Sequence, residues 1–357
     1  MMAEAKFIAN DKLTAWLDEL SATMRVLAPA RQGDAVVFVP YVAGQNVELG
    51  QEATAPPKST VFPASEDLLR YDYRKNPENL GQVDVELFPT ITPEPTLVFG
   101  SRPCGARGFL IFDRVYDGAK YKDPYYLARR EATLFATIAC LKAENACFCH
   151  SVGSAPGDAA GSDLLLTPMD DGYVVEAVSK KGEALLGSSL FTAGKKKAGQ
   201  AKKLREQALK DMGEPQDFGP AKDKLLALFD DMGFWEDVSA KCISCGACTY
   251  LCPTCYCFNI TDENAGLTGR RVRSWDNCMS FQFTLEASGH NPRPTKAHRL
   301  KNRVGHKFSY YPALHEGIIA CCGCGRCIKS CPVSVDIREI VTKAMAHQPP
   351  AVEEAAK

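Results

Sequence analysis

The sequence lacks the features that would place it in a membrane or in an oxidising compartment. No stretch of its 357 residues approaches the roughly 18 consecutive apolar residues that span a bilayer. The N-terminal segment carries charges throughout and contains no apolar signal core. The formal net charge is only −1, so bulk charge points to no nucleic acid or other polyanion as a partner. We therefore expect a cytoplasmic protein with no membrane span.

Cysteine, by contrast, is abundant, because the chain contains 16 of them. Disulfides form in oxidising compartments, whereas cytosolic thiols are kept reduced. Many thiols in a reducing compartment favour metal ligation over disulfides. The sequence thus predicts a metal-binding protein, and the cysteine spacing indicates which metal.

Eight of these cysteines form one pattern that occurs twice in the C-terminal third. The two runs are Cys242, Cys245, Cys248 and Cys252, followed by Pro253, and Cys321, Cys324, Cys327 and Cys331, followed by Pro332. Both match C-x2-C-x2-C-x3-C-P, the pattern of bacterial ferredoxins that bind two [4Fe–4S] clusters. The alternative is zinc, but zinc sites pair two short cysteine hooks and need no repeated run of four. The pattern therefore predicts two [4Fe–4S] clusters.

The ligands of the two clusters are expected to cross between the runs, because the fourth cysteine of each run binds the other cluster in two-cluster ferredoxins. Cluster 1 is assigned to Cys242, Cys245, Cys248 and Cys331. Cluster 2 is assigned to Cys321, Cys324, Cys327 and Cys252. Four thiolates leave no open position on iron, so we expect centres that carry single electrons, with no catalytic residue in this chain.

A long insertion, residues 256–318, separates the two runs. It is basic, with nine Lys or Arg residues from Arg270 to Lys307 against two acidic residues, Asp276 and Glu286. We interpret this charge as an offset to the negative charge of reduced clusters, or as a surface for an acidic partner. Nucleic-acid binding is the weaker alternative, because no aromatic-interleaved basic module accompanies these residues.

Three further cysteines, Cys255, Cys257 and Cys278, lie in or beside the insertion. One interpretation is a fourth metal centre, whose remaining ligand would be Cys322, His298 or His306. The other is a set of reduced structural thiols, since a buried free cysteine behaves as a small apolar side chain. The two interpretations stay open.

The last four cysteines, Cys104, Cys140, Cys147 and Cys149, lie in the N-terminal half. Cys104 follows a strand-like run and is placed to open a helix, and Cys140 ends an apolar strand. Ligands at strand ends and in adjacent loops converge at one edge of a sheet. We therefore expect a third [4Fe–4S] cluster here, with zinc as the lesser form. The alternative is two core cysteines and an incidental pair.

The expected fold class is α+β, with a mixed α/β N-terminal domain, a helical linker and a C-terminal bacterial-type two-[4Fe–4S] ferredoxin domain that carries the insertion. The predicted boundaries are 1–192, 193–238 and 239–346, followed by a flexible tail at 347–357.

Local patterns predict elements within these domains. Apolar periodicity predicts a helix at 10–27 and buried strands at 35–42 and 96–100. Residues 123–141 read as a helix that passes into a strand. A hairpin is predicted at 163–179, turning at Asp171-Gly172, and helices are predicted at 193–212 and 222–242.

Several stretches resemble the beta subunits of cytoplasmic sulfhydrogenases and the A subunit of anaerobic sulfite reductase. The resemblance extends over residues 96–345. Its C-terminal part is carried by CISCGACTYLCPTCYCFNITDE, RVRSWDNCMSFQFTLEASGHNPRP, HKFSYYP and CGCGRCIKSCPVSVDI. Its N-terminal part is carried by GSRPCGARGFLIFD, DPYYLARRE and ACFCHSVG, with Gly105 where the family often has Asp.

The resemblance implies an electron-transfer subunit of an oxidoreductase complex in anaerobic metabolism. Its partners would be a flavoprotein subunit linked to NAD(P)H or ferredoxin, and a terminal redox subunit of the hydrogenase, sulfite reductase or heterodisulfide reductase type. The chain has no G-x-G-x-x-G fingerprint, so the dinucleotide is expected to bind elsewhere. The alternatives are a redox enzyme with substrate at an incompletely ligated cluster near Cys255, and a cluster-containing regulator that binds nucleic acid.

Overall fold

The computed structural model describes residues 5–79 and 81–348, which fall into two compact units. Among the described residues, the first unit comprises 5–79, 81–142, 156–211 and 255–276, and the second comprises 143–155, 212–254 and 277–348. The division follows contacts and not chain order. Residues 143–155 thus group with the two cysteine runs, and the first part of the insertion groups with the N-terminal sheets. The predicted tail lies outside the described residues from 349 onwards.

The strands of the described residues all belong to the first unit. They are β1 (Lys6–Ala9), β2 (Arg25–Gln32), β3 (Ala35–Pro40), β4 (Ser65–Lys75), β5 (Val83–Pro89), β6 (Thr96–Ser101), β7 (Thr133–Ile138), β8 (Leu164–Met169), β9 (Gly172–Ala177), β10 (Thr192–Ala193), β11 (Phe258–Ala265) and β12 (Thr268–Trp275).

The larger sheet of this unit is mixed, with eight strands in the order β10-β1-β9-β8-β7-β6-β2-β3. The four neighbours β8, β7, β6 and β2 are parallel to one another, and the outer pairs are antiparallel. β6 is buried along its whole length, as expected for a parallel strand that is covered on both faces. The four parallel strands therefore form the centre of the unit.

The helices of the first unit are α1 (Asn10–Ser21), α2 (Pro103–Tyr116), α3 (Pro124–Ala132), α4 (Lys180–Ala184) and α5 (Lys195–Lys210). α1 buries Leu13, Trp16, Leu17 and Leu20 at helical spacing. α3 begins after Asp123, whose carboxylate accepts the Tyr126 N–H at 2.9 Å and caps the helix. α2 and α3 add Phe109, Phe112, Tyr116 and Tyr126 to an aromatic core cluster.

The second sheet is antiparallel, in the order β11-β12-β4-β5. Its hairpin β11–β12 is the first part of the insertion. Arg273 of β12 is buried and forms ion pairs with Glu66 and Asp123, and Glu66 also pairs with Arg129. The arginines of this hairpin are therefore neutralised by carboxylates of the same unit.

The regular secondary structure in the described part of the second unit is all helical. Its helices are α6 (Ala221–Ala227), α7 (Met232–Ser239), α8 (Ala247–Tyr250), α9 (Lys296–Gly305), α10 (Tyr311–Leu314), α11 (Arg326–Lys329) and α12 (Ile337–Ala346), with a π-helical turn at His306–Tyr310 between α9 and α10. No helix in the described ranges is both long and apolar enough to cross a membrane.

Most of the predicted elements are present in the mixed α/β fold. The helix–strand passage at 123–141, the strand at 96–100 and the hairpin at 163–179 are confirmed, but the hairpin turns at Asp170-Asp171, one residue earlier than predicted. The helix predicted at 10–27 was too long, because Val26 and Leu27 join β2 beside β6. The single helix predicted at 222–242 was wrong, because the chain breaks after Ala227 and Asp231 caps a new helix.

Candidate metal centre

The first cysteine run forms a tight loop that ends in the short helix α8. Gly246, which precedes α8, has a φ of +78°, and Ser244 has a φ of +57°. These left-handed residues alternate with the cysteines and turn the chain sharply between them. The two-residue spacing of the run is thereby converted into a loop whose thiols surround one space.

The second run repeats this geometry. Gly323 and Gly325 have φ values of +64° and +74°, at the positions equivalent to Ser244 and Gly246. Gly325 precedes the short helix α11, which corresponds to α8 and contacts it. The sequence repeat is therefore also a repeat of backbone conformation.

Two cavities in the second unit are lined by these cysteines, and each draws on both runs. The cysteines that line the first cavity are Cys242, Cys245, Cys248, Cys327 and Cys331. Those that line the second are Cys252, Cys321, Cys322, Cys324 and Cys327. Each cavity thus has three thiols of one run and the fourth thiol of the other, which is the grouping expected for crossed ligands. Cys327 lines both cavities, so the two spaces are neighbours.

Backbone N–H groups point at several of these sulfurs. The N–H groups of Ser244 and Gly323 each lie 3.4 Å from the Sγ two residues earlier, Cys242 and Cys321 respectively. The Thr254 N–H lies 3.4 Å from Cys252 Sγ, and the Val335 N–H lies 3.2 Å from Cys331 Sγ. Such donors stabilise a thiolate, because a hydrogen bond to the charged form favours that form.

Burial opposes thiolate formation at three of the sulfurs. It raises the pKa of Cys321 to about 11, and it also raises the pKa of Cys248 and of Cys327. Positive charge acts in the opposite direction: Lys307 lowers the pKa of Cys321, and Arg303 lowers the pKa of Cys248 and of Cys327. Metal ligation would overcome the effect of burial, since a bound metal deprotonates a coordinating thiol.

Residues 143–155 cover the second cysteine loop. The Phe148 N–H donates to the Gly323 carbonyl at 2.8 Å, and a Cβ on Gly323 would lie 2.5 Å from the Cys149 nitrogen. A Cβ on Gly325 would likewise lie 2.6 Å from the Ala146 carbonyl oxygen. Glycine is therefore required here both by its positive φ and by the close approach of another backbone.

Comparison with known proteins agrees with this geometry. Residues 241–335 match the family model of the 4Fe–4S dicluster domain. The chain carries a 4Fe–4S dicluster domain. It is also 28% identical over 327 residues to sulfhydrogenase 2 subunit beta of Pyrococcus furiosus, covering 90% of this chain and 92% of that protein. The resemblance inferred from the motifs is thereby confirmed. No solved structure matches the chain significantly.

The residues at the two cavities fit [4Fe–4S] clusters. Each cavity offers four thiols in the expected grouping, on loops with left-handed residues between the cysteines. Backbone N–H groups reach the cysteine sulfurs, as they do in cluster-binding loops. The donor set is wholly sulfur, which iron–sulfur clusters prefer. Within residues 5–79 and 81–348, no group of three or more His, Cys, Asp or Glu residues is arranged to hold a single metal ion.

The four N-terminal cysteines are divided between the two units. Cys104 and Cys140 belong to the first, whereas Cys147 and Cys149 belong to the second. Cys104 lies in the first turn of α2, and its Sγ is 3.2 Å from a carboxylate oxygen of Glu52. Cys147 Sγ lies 3.9 Å from the Cys324 carbonyl oxygen. The third cluster stays a prediction from the sequence.

The cysteines of the insertion are also divided. Cys255 and Cys257 belong to the first unit and Cys278 to the second. The Cys255 carbonyl accepts from Lys58 Nζ at 3.2 Å, and the Cys257 carbonyl accepts from the Asp276 N–H at 3.0 Å. Cys278 is buried close enough to Cys248 to raise its pKa. A fourth centre built on these cysteines also stays a prediction.

The two histidines considered as ligands have other surroundings. His298 Nδ1 lies 2.7 Å from Thr295 Oγ1, at the start of α9. Burial, together with the neighbouring cations Lys307 and Arg303, lowers the pKa of His306 to about 4. His306 is therefore neutral at pH 7.

Sequence reasoning missed the residues that surround the cysteines. Arg303 lines both cavities, and Lys307 and Phe148 line the second. Arg303 and Lys307 are part of the basic count of the insertion, but the spacing of charges alone does not separate them from the surface arginines of β12. Phe148 is 173 positions before Cys321, so no local pattern connects it with the site.

Proposed function

We propose that this chain is a non-catalytic electron-transfer subunit of a multi-subunit oxidoreductase. Cys242, Cys245, Cys248 and Cys331 would hold cluster 1, and Cys321, Cys324, Cys327 and Cys252 would hold cluster 2. When bound, a [4Fe–4S] cluster takes up and releases one electron at a time. The chain would relay electrons between a subunit of the flavin or NAD(P)H type and a terminal redox subunit.

The observation that carries this proposal is the sharing of Cys327 between two cysteine-lined cavities. A shared wall brings two centres close together, which suits serial transfer of single electrons. Each cavity has its full set of four thiols, so the protein saturates the metal and leaves no position for a substrate. The similarity to a sulfhydrogenase beta subunit supports membership of a redox complex.

The exposure of the two loops suggests where electrons are exchanged. Cys245 is exposed and Ile243 beside it is 61% exposed, so the first loop reaches solvent. The second loop is buried beneath residues 143–155. We infer that the first loop faces a redox partner and that the second centre exchanges electrons mainly through the first.

The test is anaerobic purification of the native complex, with identification of its subunits and determination of iron per chain. About eight irons would correspond to the two clusters, about twelve to a third cube and about sixteen to a fourth. A purified chain that carries zinc in place of iron, or that has no redox-active partner, would contradict the proposal. Binding of an added small ligand to a centre, with a spectral shift, would favour the enzyme alternative.

A further inference from the structure

Three buried cations of the insertion are spaced four residues apart along one stretch of helix. Arg299 and Arg303 lie in α9, and Lys307 lies in the π-helical turn that follows it. Each side chain is at least nine-tenths buried, with exposures of 8%, 4% and 3% respectively. Residues four apart on a helix lie on one face. We call these three residues the cationic stripe.

The stripe lies along the first cysteine run and extends to the start of the second. Arg299 donates to Ser244 Oγ at 3.3 Å, in the first loop, and to the carbonyls of Arg293 and Pro294. Arg303 donates to the Cys248 carbonyl at 2.6 Å. It also lines both cavities.

Lys307 lies at the other end of the stripe, beside the second cavity. Its Nζ donates to Thr254 Oγ1 at 2.7 Å and to the Ala320 carbonyl at 3.0 Å. Thr254 comes two residues after Cys252, and Ala320 immediately precedes Cys321. Lys307 therefore contacts residues next to Cys252 and Cys321, which are two of the ligands proposed for cluster 2.

These hydrogen bonds hold the three cationic side chains beside the cysteine loops. A charge in a buried environment acts more strongly on its neighbours than a charge in water.

We propose that the cationic stripe raises the reduction potentials of the two centres, with Arg303 acting on both, Arg299 mainly on cluster 1 and Lys307 mainly on cluster 2. This inference rests on the proposed function, because it needs the two clusters. Reduction adds one negative charge to a centre, and a buried cation nearby stabilises the reduced form more than the oxidised form. Net charge near a cluster is one of the factors that set its potential.

The experiment is an anaerobic redox titration of the full chain with its clusters, followed by electron paramagnetic resonance. The variants Arg299→Gln, Arg303→Gln and Lys307→Gln remove one charge each and keep a hydrogen-bond donor. We expect Arg303→Gln to lower both midpoint potentials, Arg299→Gln mainly that of cluster 1 and Lys307→Gln mainly that of cluster 2. A tenfold change in a one-electron reduction equilibrium corresponds to about 59 mV, which is the size of shift expected.

Two controls separate charge from structure. Arg303→Lys keeps the charge and should retain both potentials. Lys301→Gln removes a buried charge from the same helix, but Lys301 donates to the Phe229 carbonyl at 2.9 Å, lies over the Phe229 ring and lines neither cysteine cavity. Its removal should leave both potentials unchanged.

The possible outcomes are distinct. Unmoved potentials in the charge-removing variants that retain both cubane signals would overturn the stripe and leave the proposed function intact. Equal shifts in Lys301→Gln would overturn it as well. If all three charge-removing variants lost their clusters while Lys301→Gln kept them, the stripe would serve cluster assembly and the tuning role would be wrong. Absence of cubane signals from the unsubstituted protein would instead contradict the proposed function.

Discussion

The two cysteine loops have the same cysteine spacing and have left-handed residues at the same positions, yet they differ sharply in exposure to solvent. Ile243 of the first loop is 61% exposed, and its equivalent in the second loop, Cys322, is 2% exposed. The first loop contains an exposed cysteine, Cys245, which is a proposed ligand of cluster 1, whereas the equivalent Cys324 is buried. The internal repeat thus determines the conformation of each cysteine loop, whereas the residues packed around a loop determine how far it is exposed to solvent.

The source of the difference is a segment far away in sequence. Residues 143–155 pack on the second loop and form contacts with two residues that follow the loop in the chain. Lys329 pairs with Glu144 at 2.6 Å, and Arg338 donates to the Asn145 carbonyl at 3.1 Å. In the first loop, Gly246 instead faces the side chain of Asn277. The comparison therefore predicts an accessible first centre and a shielded second centre.

The largest expected effect is loss of a ligand from either loop. Cys245→Ser and Cys324→Ser should each remove one cube, because serine does not replace a thiolate ligand of iron. Iron should fall from about eight to about four per chain, and electron throughput should fall to background. Iron analysis, electron paramagnetic resonance and turnover of the complex are the measurements. Full throughput in either variant would contradict the ligand assignment.

Alanine substitution of one left-handed glycine in each loop should lower the free energy of unfolding by different amounts. Gly323→Ala places a Cβ 2.5 Å from the Cys149 nitrogen, whereas Gly246→Ala places it 3.1 Å from side-chain atoms of Asn277. Both variants bear the cost of a left-handed alanine, about 1–2 kcal/mol. Gly323→Ala should lose a further 1–3 kcal/mol or so from overpacking against backbone. Anaerobic thermal unfolding measures both, and equal losses would contradict the close cover of the second loop.

Iron release should occur in two phases. A water-soluble oxidant with a chelator should reach the exposed first loop before the buried second loop. We expect about half of the iron to leave in a fast phase, accompanied by loss of the cluster 1 signal. Gly323→Ala, by loosening the cover, should accelerate only the slow phase. Iron release in a single phase from the unsubstituted protein would contradict the predicted difference in accessibility between the two loops.

The smallest effect is expected at the equivalent positions Ile243 and Cys322. Ile243→Ser removes an exposed apolar side chain at the proposed exchange surface, and a contact of this kind contributes about 1 kcal/mol. The rate of electron exchange with the partner subunits should fall about fivefold at limiting partner concentration, with iron content unchanged. Cys322→Ser serves as the matched control and should leave both iron and rate nearly unchanged. A larger loss of exchange rate in Cys322→Ser than in Ile243→Ser would contradict the proposal that the first loop faces the redox partner.

The sequence was informative for features that depend on residues close together in the chain. The cysteine runs predicted two tight loops, because backbone spacing and turn residues determine a loop. Strands such as β6 and the hairpin β8–β9 were predicted for the same reason, since each is defined by a short apolar pattern and its turn. The crossed grouping of Cys331 with Cys242 and of Cys252 with Cys321 was predicted from the ligand pattern of two-cluster ferredoxins.

Contacts between distant residues were not predictable in this way. The hairpin β11–β12 pairs with β4, more than 190 residues earlier in the chain. The helical reading of 222–242 failed because its apolar residues suit one helix or two, and only the cap at Asp231 decides. The different surroundings of Arg273 and Arg303 also depend on long-range packing, which net charge does not record.

The most direct test of the account is the count of cubane clusters in anaerobically purified protein, by iron analysis together with Mössbauer spectroscopy. We expect at least two [4Fe–4S] clusters per chain, with one lost in Cys245→Ser and a different one lost in Cys324→Ser. Fewer than two clusters, or the same cluster lost in both variants, would contradict it.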